Sequence, residues 1–174
     1  WQRADTAEGN YGNIPGATAS TYPLTAADMG KYIRVVATGS GNYSGSVFST
    51  PIGPVTAGQL SSIGPISGTA TVGSTLTAGT LTPLNATVDW QWQRCTSANG
   101  VYEDIPNANG SSYTLTEGDV GYYIKVVATG TGAFKGTVVS AFTGPICTTA
   151  TPITSIGPIS GVPQVAMTLT AGTV

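Results

Sequence analysis

Tyr22-Pro23-Leu24-Thr25-Ala26-Ala27-Asp28-Met29-Gly30-Lys31-Tyr32-Ile33-Arg34-Val35-Val36-Ala37-Thr38-Gly39 is answered, 91 residues further along, by Tyr113-Thr114-Leu115-Thr116-Glu117-Gly118-Asp119-Val120-Gly121-Tyr122-Tyr123-Ile124-Lys125-Val126-Val127-Ala128-Thr129-Gly130. The segment from Val35 to Gly39 returns unchanged as Val126 to Gly130. In the second copy Tyr113 and Leu115 share one face at period two. Ile124, Val126 and Ala128 do the same, which is the alternation of half-buried strands. Glu117-Gly118-Asp119 punctuates the two runs, and Asp28 and Asp119 fall in a turn where a carboxylate caps backbone N–H groups. The stretch reads strand, turn, strand, and it does so twice.

Further matches extend the repeat in both directions. Trp1-Gln2-Arg3 recurs as Trp92-Gln93-Arg94, and Ile14-Pro15 as Ile105-Pro106. Ser62 to Gly68 recurs as Ser155 to Gly161, 93 residues on, and Thr75 to Thr80 recurs unchanged as Thr168 to Thr173. A period of about 92 residues is that of an array of small modules. One complete unit spans 61–148. Residues 1–57 match the back part of a unit, and 152–174 match the front part of another. Within the complete unit, Thr75 to Leu81, Val88-Trp90-Trp92 and Val138 to Phe142 carry strand patterns, and no helical periodicity exceeds one or two turns. Six or seven short strands, with turns every 8 to 12 residues, predict an all-β sandwich.

These residues resemble a known family. Trp92 in a middle strand, followed by Asp119-Val120-Gly121-Tyr122-Tyr123, is similar to the immunoglobulin-like fold. Closer still, Tyr-x-Leu-Thr-x-x-Asp-x-Gly-x-Tyr-Ile with Val-Val-Ala-Thr-Gly resembles the Ig-like repeats of large prokaryotic cell-surface and extracellular filament proteins. The resemblance implies tandem Ig-like β-sandwiches: strands C to G in 1–57, a whole module in 61–148, and strands A and B in 152–174. It places Trp1 and Trp92 in the core, and Asp28, Tyr32, Asp119 and Tyr123 at the corner opening strand F. Antibody-type domains carry a cysteine two residues past the corner tyrosine. Here Arg34 and Lys125 stand there, so that inter-sheet bond has no counterpart. Cys95 and Cys147 instead occur together in one unit, with Ala4 and Thr56 at their places in the other. In the sandwich reading both lie at one pole, and a disulfide between them is expected, the alternative being two separate thiols.

Composition narrows the function classes. Charged residues make up 8% of the chain, its net charge is −2, and it contains no histidine. Such a surface is unsuited to gripping phosphates, so nucleic acid is not an expected partner. The apolar runs are too short to span a bilayer, which argues against membrane insertion. Without histidine, acid–base work would fall to eight carboxylates. No nucleophile elbow, phosphate loop or metal-ligand spacing accompanies them, so no catalytic residue, metal or cofactor is assigned. Glu103, Asp104, Glu117 and Asp119 read as a solvated loop face rather than a calcium site. Asn42, Asn85 and Asn109 head Asn-x-Ser/Thr sequons in expected loops and are candidate glycosylation sites. Tyr43 and Phe134 sit in the glycine-rich loop before the last strand; the expectation is a loop folded back onto its own sandwich, the alternative an exposed ring that stacks on a sugar or a neighbouring module.

The phase of the repeat carries the functional expectation. The chain opens inside a module, on Trp rather than Met, and closes on a module's first strands, so it is expected to be a processed product or a window onto a longer polypeptide. Ile156, Ile159, Val165, Leu169 and Ala171 would face inward in a finished sandwich. Exposing that set forgoes on the order of 6–10 kcal/mol at about 1.5–3 kcal/mol per large side chain. Either further residues of a longer chain or a neighbouring subunit would complete these portions. The expected role is a structural subunit of an extracellular filament, sheath or surface layer, a head-to-tail homopolymer at the cell surface with glycans as additional partners. An adhesin stalk or carbohydrate-binding surface repeat is the rival class.

Overall fold

The computed structural model describes residues 1–149, 155–171 and 173; the expected edges of the last portion, Pro152 and Val174, lie outside them. The fold is all-β. Helix is confined, among the described residues, to two three-residue 3-10 turns, Ala26–Asp28 and Glu117–Asp119. Both fall in the turn that the sequence marks with an aspartate.

The first repeat portion contains β1 (Gln2–Ala4), β2 (Gly12–Asn13), β3 (Tyr32–Arg34), β4 (Val36–Thr38) and β5 (Ser46–Phe48). After a connecting strand, β6 (Gly58–Gln59), the complete repeat supplies β7 (Ser62–Ile63), β8 (Thr75–Thr77), β9 (Leu81–Thr82), β10 (Val88–Cys95), β11 (Glu103–Asp104), β12 (Ser112–Thr114), β13 (Tyr123–Gly130), β14 (Phe134–Lys135) and β15 (Thr137–Val139). One sheet has the order β11-β10-β13-β15, all neighbours antiparallel. Its spine is the full-length pairing of β10 with β13, which sets Trp92 opposite Val126. Two further ribbons are β8–β12, with Leu76 opposite Tyr113, and β7–β9, with Ile63 opposite Leu81.

The buried cluster comprises Leu76, Trp92, Ile105, Ala108, Leu115, Ile124, Val126 and Ile146. Every member belongs to the complete repeat. Along β13 the buried side chains alternate, as the pleat requires, whereas the two buried residues of β10, Trp92 and Cys95, are of opposite parity. The first portion repeats the strand register, with Ala4 opposite Tyr32 as Cys95 is opposite Tyr123, and Val36 opposite Phe48 as Val127 is opposite Val139.

Two expected strands come out shorter. The Thr75–Leu81 run breaks at Gly79, where a Cβ would lie only 2.2 Å from the Gly64 carbonyl carbon, so two backbones cross in contact. The last strand ends at Val139 because the Ser140 side chain turns inward, and its Oγ accepts the Val126 N–H at 3.0 Å. The disulfide expected from Cys95 and Cys147 is not formed, and both thiols are free. The two sulfurs meet different neighbours. Cys95 is buried at the turn after β10, its Sγ 3.5 Å from the Ser97 N–H, and the exposed Cys147 thiol donates to the Ala70 carbonyl at 3.4 Å.

Candidate functional site

The aspartate turn is built identically in both repeats. Asp119 is fully buried. Its Oδ2 accepts from the Tyr113 hydroxyl at 2.7 Å and from the Thr116 N–H and hydroxyl at 2.9 Å; Oδ1 pairs with Arg94 at 2.9 Å. Asp28 has the same partners in Tyr22, Thr25 and Arg3. Burial opposes the charge on each carboxylate. The hydrogen bonds from the threonine N–H, the tyrosine hydroxyl, the arginine and the threonine hydroxyl outweigh it and hold both below the ordinary 3.8. Burial, then the bond to Asp119, pushes the Tyr113 hydroxyl up to about 12. This arrangement fixes a turn and leaves neither carboxylate free for chemistry. The tyrosine that bonds the aspartate is Tyr113, not Tyr123, which packs edge-on against Phe142 at 5.4 Å. Tyr32, its counterpart, is half-buried. The arginine was legible in the repeated Trp-Gln-Arg but carried no assigned role.

A groove of about 400 Å³ opens on the first portion, lined among others by Trp1, Tyr22, Leu24, Ile33 and Val55. In the complete repeat the equivalent residues are Trp92, Tyr113, Leu115, Ile124 and Ile146, which all pack with Leu76 in the buried cluster or against it. The groove walls already have the geometry of the filled site. Trp1 and Tyr22 stack at 5.9 Å and 31°, and Trp92 and Tyr113 at 5.9 Å and 32°. The indole N–H of Trp1 donates to Ala19 and that of Trp92 to Gly110, each at 2.9 Å. What differs is cover: Leu115 is 2% exposed, and Leu24 is 58% exposed.

The matching half lies at 155–171. Ser160 and Thr170 exchange both backbone hydrogen bonds, as Ser67 and Thr77 do in the complete repeat. Gly161 takes φ +128° where Gly68 takes +117°, and Ala166 takes +71° where Gly73 takes +82°. This segment repeats the closing bridge and the positive-φ positions of 62–78 without its cover. Leu76 is fully buried, and Leu169 is 52% exposed. Ile156, Ile159 and Val165 are likewise exposed, whereas Ile63, Ile66 and Val72 pack against the buried cluster. The sequence pattern singled out the ribbon face but not the groove. The signal for it was Leu24, which stands between Tyr22 and Thr25 as Leu115 stands between Tyr113 and Thr116.

The remaining candidates scatter. Asn42, Asn85 and Asn109 are all exposed and outside strands. Phe134 lies over Gly58, where β14 pairs with β6 and joins the complete repeat to the connecting strand. Its counterpart Tyr43 stands 81% exposed. Glu103 and Glu117 remain on the solvent face, and no group of three or more metal-ligating side chains occurs among the described residues. Among those residues no helix is long and apolar enough to cross a membrane. Compared with protein-family models, curated proteins and solved structures, the chain matches none.

Proposed function

We propose that the protein is a structural subunit of an extracellular filament, sheath or surface layer, assembled head to tail from Ig-like β-sandwich modules. A neighbouring subunit, or further residues of a longer chain, completes each module. One observation carries this reading: the same ribbon occurs twice, buried at 62–78 and bare at 155–171, while a preformed groove presents the walls that bury the first copy. Covering Ile156, Ile159, Val165 and Leu169 is worth about 1.5–3 kcal/mol for each large side chain. A set of that size is comparable with the stability of a small domain. A ribbon contacting a groove at the far end of its neighbour makes a heterologous contact, which propagates instead of closing. Electron microscopy of the purified 174-residue chain is expected to show thin, unbranched polymers with a repeat set by one chain; a field of discrete particles at every concentration would remove the support for subunit assembly.

The rival, a carbohydrate-binding surface repeat, draws on the exposed ring of Tyr43. That ring stands beside backbone and small side chains with no convergent charged group, which is a poor sugar site. Its counterpart Phe134 covers a connecting strand, so the Tyr43 loop fits the same use between modules better.

A further inference from the structure

We propose that the hollow beside Trp90 in the complete repeat is a binding site for a neutral sugar, supplied by a saccharide from outside the chain. It adds a binding function to the structural role above and does not depend on it. The hollow holds about 370 Å³ and is lined by Asp89, Trp90, Gln91, Asn109 and Thr129. That volume is near the lower end of ligand sites, about 300–1,000 Å³, and suits a small ligand.

Two strands and one pinned loop build the hollow. In the ladder of β10 with β13, Asp89 stands opposite Thr129, and Gln91 shares the parity of Asp89. Asn109 is brought alongside by its two neighbours: the Trp92 N–H donates to the Ala108 carbonyl at 3.0 Å, and the Trp92 indole N–H to the Gly110 carbonyl at 2.9 Å. Gln91 is fixed through its amide nitrogen, which donates to the Trp92 and Ile105 carbonyls at 2.8 and 2.9 Å. Trp90 packs partly against the buried cluster, so its ring is held as well. The first portion shares a cleft with this end of the repeat at Asn85, Thr87 and Gly132, and the hollow is open with that portion in place.

The open groups define the ligand. The indole N–H groups of Trp1 and Trp92 each meet a carbonyl, but that of Trp90 has no partner among the described residues. The Gln91 Oε1 is open too. No buried side-chain nitrogen or oxygen among those residues lacks a partner, so the open atoms of Trp90 and Gln91 reach solvent. Asp89 and Asn109 are exposed, and Asp89 stands outside the described ion pairs. A carboxylate and an amide oxygen accept, an indole N–H donates, and the Asn109 amide and Thr129 hydroxyl do both. A ligand that meets this set carries several closely spaced groups that donate and accept, which is the chemistry of a polyhydroxylated ring. Trp90 offers the C–H groups of such a ring an apolar surface beside its donor. No lysine or arginine lines the hollow, so Asp89 disfavours an anionic ligand.

Asn109 also heads a sequon, and a glycan attached to its amide would occupy the same place. The chain to test is therefore the unmodified one, its intact mass equal to that of the bare sequence. Labelled with nitrogen-15, it is titrated with glucose, mannose, galactose, N-acetylglucosamine, their trisaccharides and glucuronic acid, while the indole N–H resonances of Trp1, Trp90 and Trp92 are followed. At least one neutral saccharide is expected to move the Trp90 resonance saturably and to leave the other two in place. Glucuronic acid is expected to bind more weakly. Asp89→Ala and Asn109→Ala change exposed side chains, so the repeat stays folded, and each is expected to weaken the best neutral ligand at least about 10-fold. Asp104→Ala, outside the hollow, is expected to leave it unchanged. A Trp90 resonance that no neutral saccharide moves overturns the proposal. So does binding that survives both substitutions in the hollow, or glucuronic acid that binds as tightly.

Discussion

Asp119 accepts more hydrogen bonds than any other buried side chain among the described residues of the complete repeat, and its surroundings make the turn sensitive to both acid and alkali. Asp119→Asn keeps the shape but turns one acceptor oxygen into a donor facing either Arg94 or the Tyr113 and Thr116 donors. Breaking a buried pair this way is expected to cost about 3 kcal/mol. That is the low end of the range, because the Arg94 side chain is 32% exposed and can reach water. The sign of the pH dependence follows from the direction of each shift. The folded carboxylate titrates below 3.8, so its contribution is whole above that value and is lost as pH falls through the lower folded pKa. Tyr113 is pushed from 10.0 to about 12, so its contribution is whole below 10 and erodes as pH rises toward 12. Urea midpoints measured across pH should fall at both ends. Asp119→Asn should flatten the acid limb, and Tyr113→Phe the alkaline one. An acid limb of unchanged slope in Asp119→Asn would refute the assignment.

The ribbon shows how far local sequence governs local structure. Gly68 and Gly73 both have positive φ, but for different reasons. A Cβ on Gly73 meets open space, so Gly73→Ala carries only the torsional cost, about 1 kcal/mol. A Cβ on Gly68 would sit 2.5 Å from the Thr75 carbonyl oxygen at φ +117°, so Gly68→Ala should cost at least about 2 kcal/mol more. Thermal denaturation of the two variants checks that order, and equal losses would refute it. Ala166 shows that the first cost is tolerated, since it adopts the Gly73 conformation with a side chain present. Much at this level was legible in the sequence. The alternation around Trp92 and Val126 marked the spine, and the aspartates marked the turns. What escaped was non-local. Gly79 breaks its strand only because Gly64 lies against it, and β14 pairs with β6 across more than 70 residues. Strand parity gave no clue that Tyr113, rather than Tyr123, would reach Asp119. Likewise, the presence of Cys95 and Cys147 together in one repeat gave no clue to the neighbours of each sulfur.

Across the entire chain, stability follows cover rather than sequence, and the two ribbons form a control within one molecule. Thr75 to Ala78 and Thr168 to Ala171 have the same residues, and each ribbon closes with the same reciprocal bonds, Ser67 with Thr77 and Ser160 with Thr170, at 2.8–3.0 Å. The closing strand and its hydrogen bonds are thus matched, while the turn between the strands differs, with Ala166 at the positive φ of Gly73. Only the first ribbon lies on a buried cluster, and a bare two-stranded ribbon is marginal in water. Hydrogen exchange on the dilute chain should find the Ser67 and Thr77 amides protected together with Trp92 and Ile124, as parts of one cooperative unit. Ser160 and Thr170 should exchange at least about 100-fold faster, through local opening that breaks no buried contact. Once a module is completed, by a neighbour or by further residues of a longer chain, their protection should rise toward that of Ser67 and Thr77. Equal protection of the two ribbons in the dilute chain would mean that the ribbon is stable without cover, and the bare apolar face would then exert no pull toward a second copy.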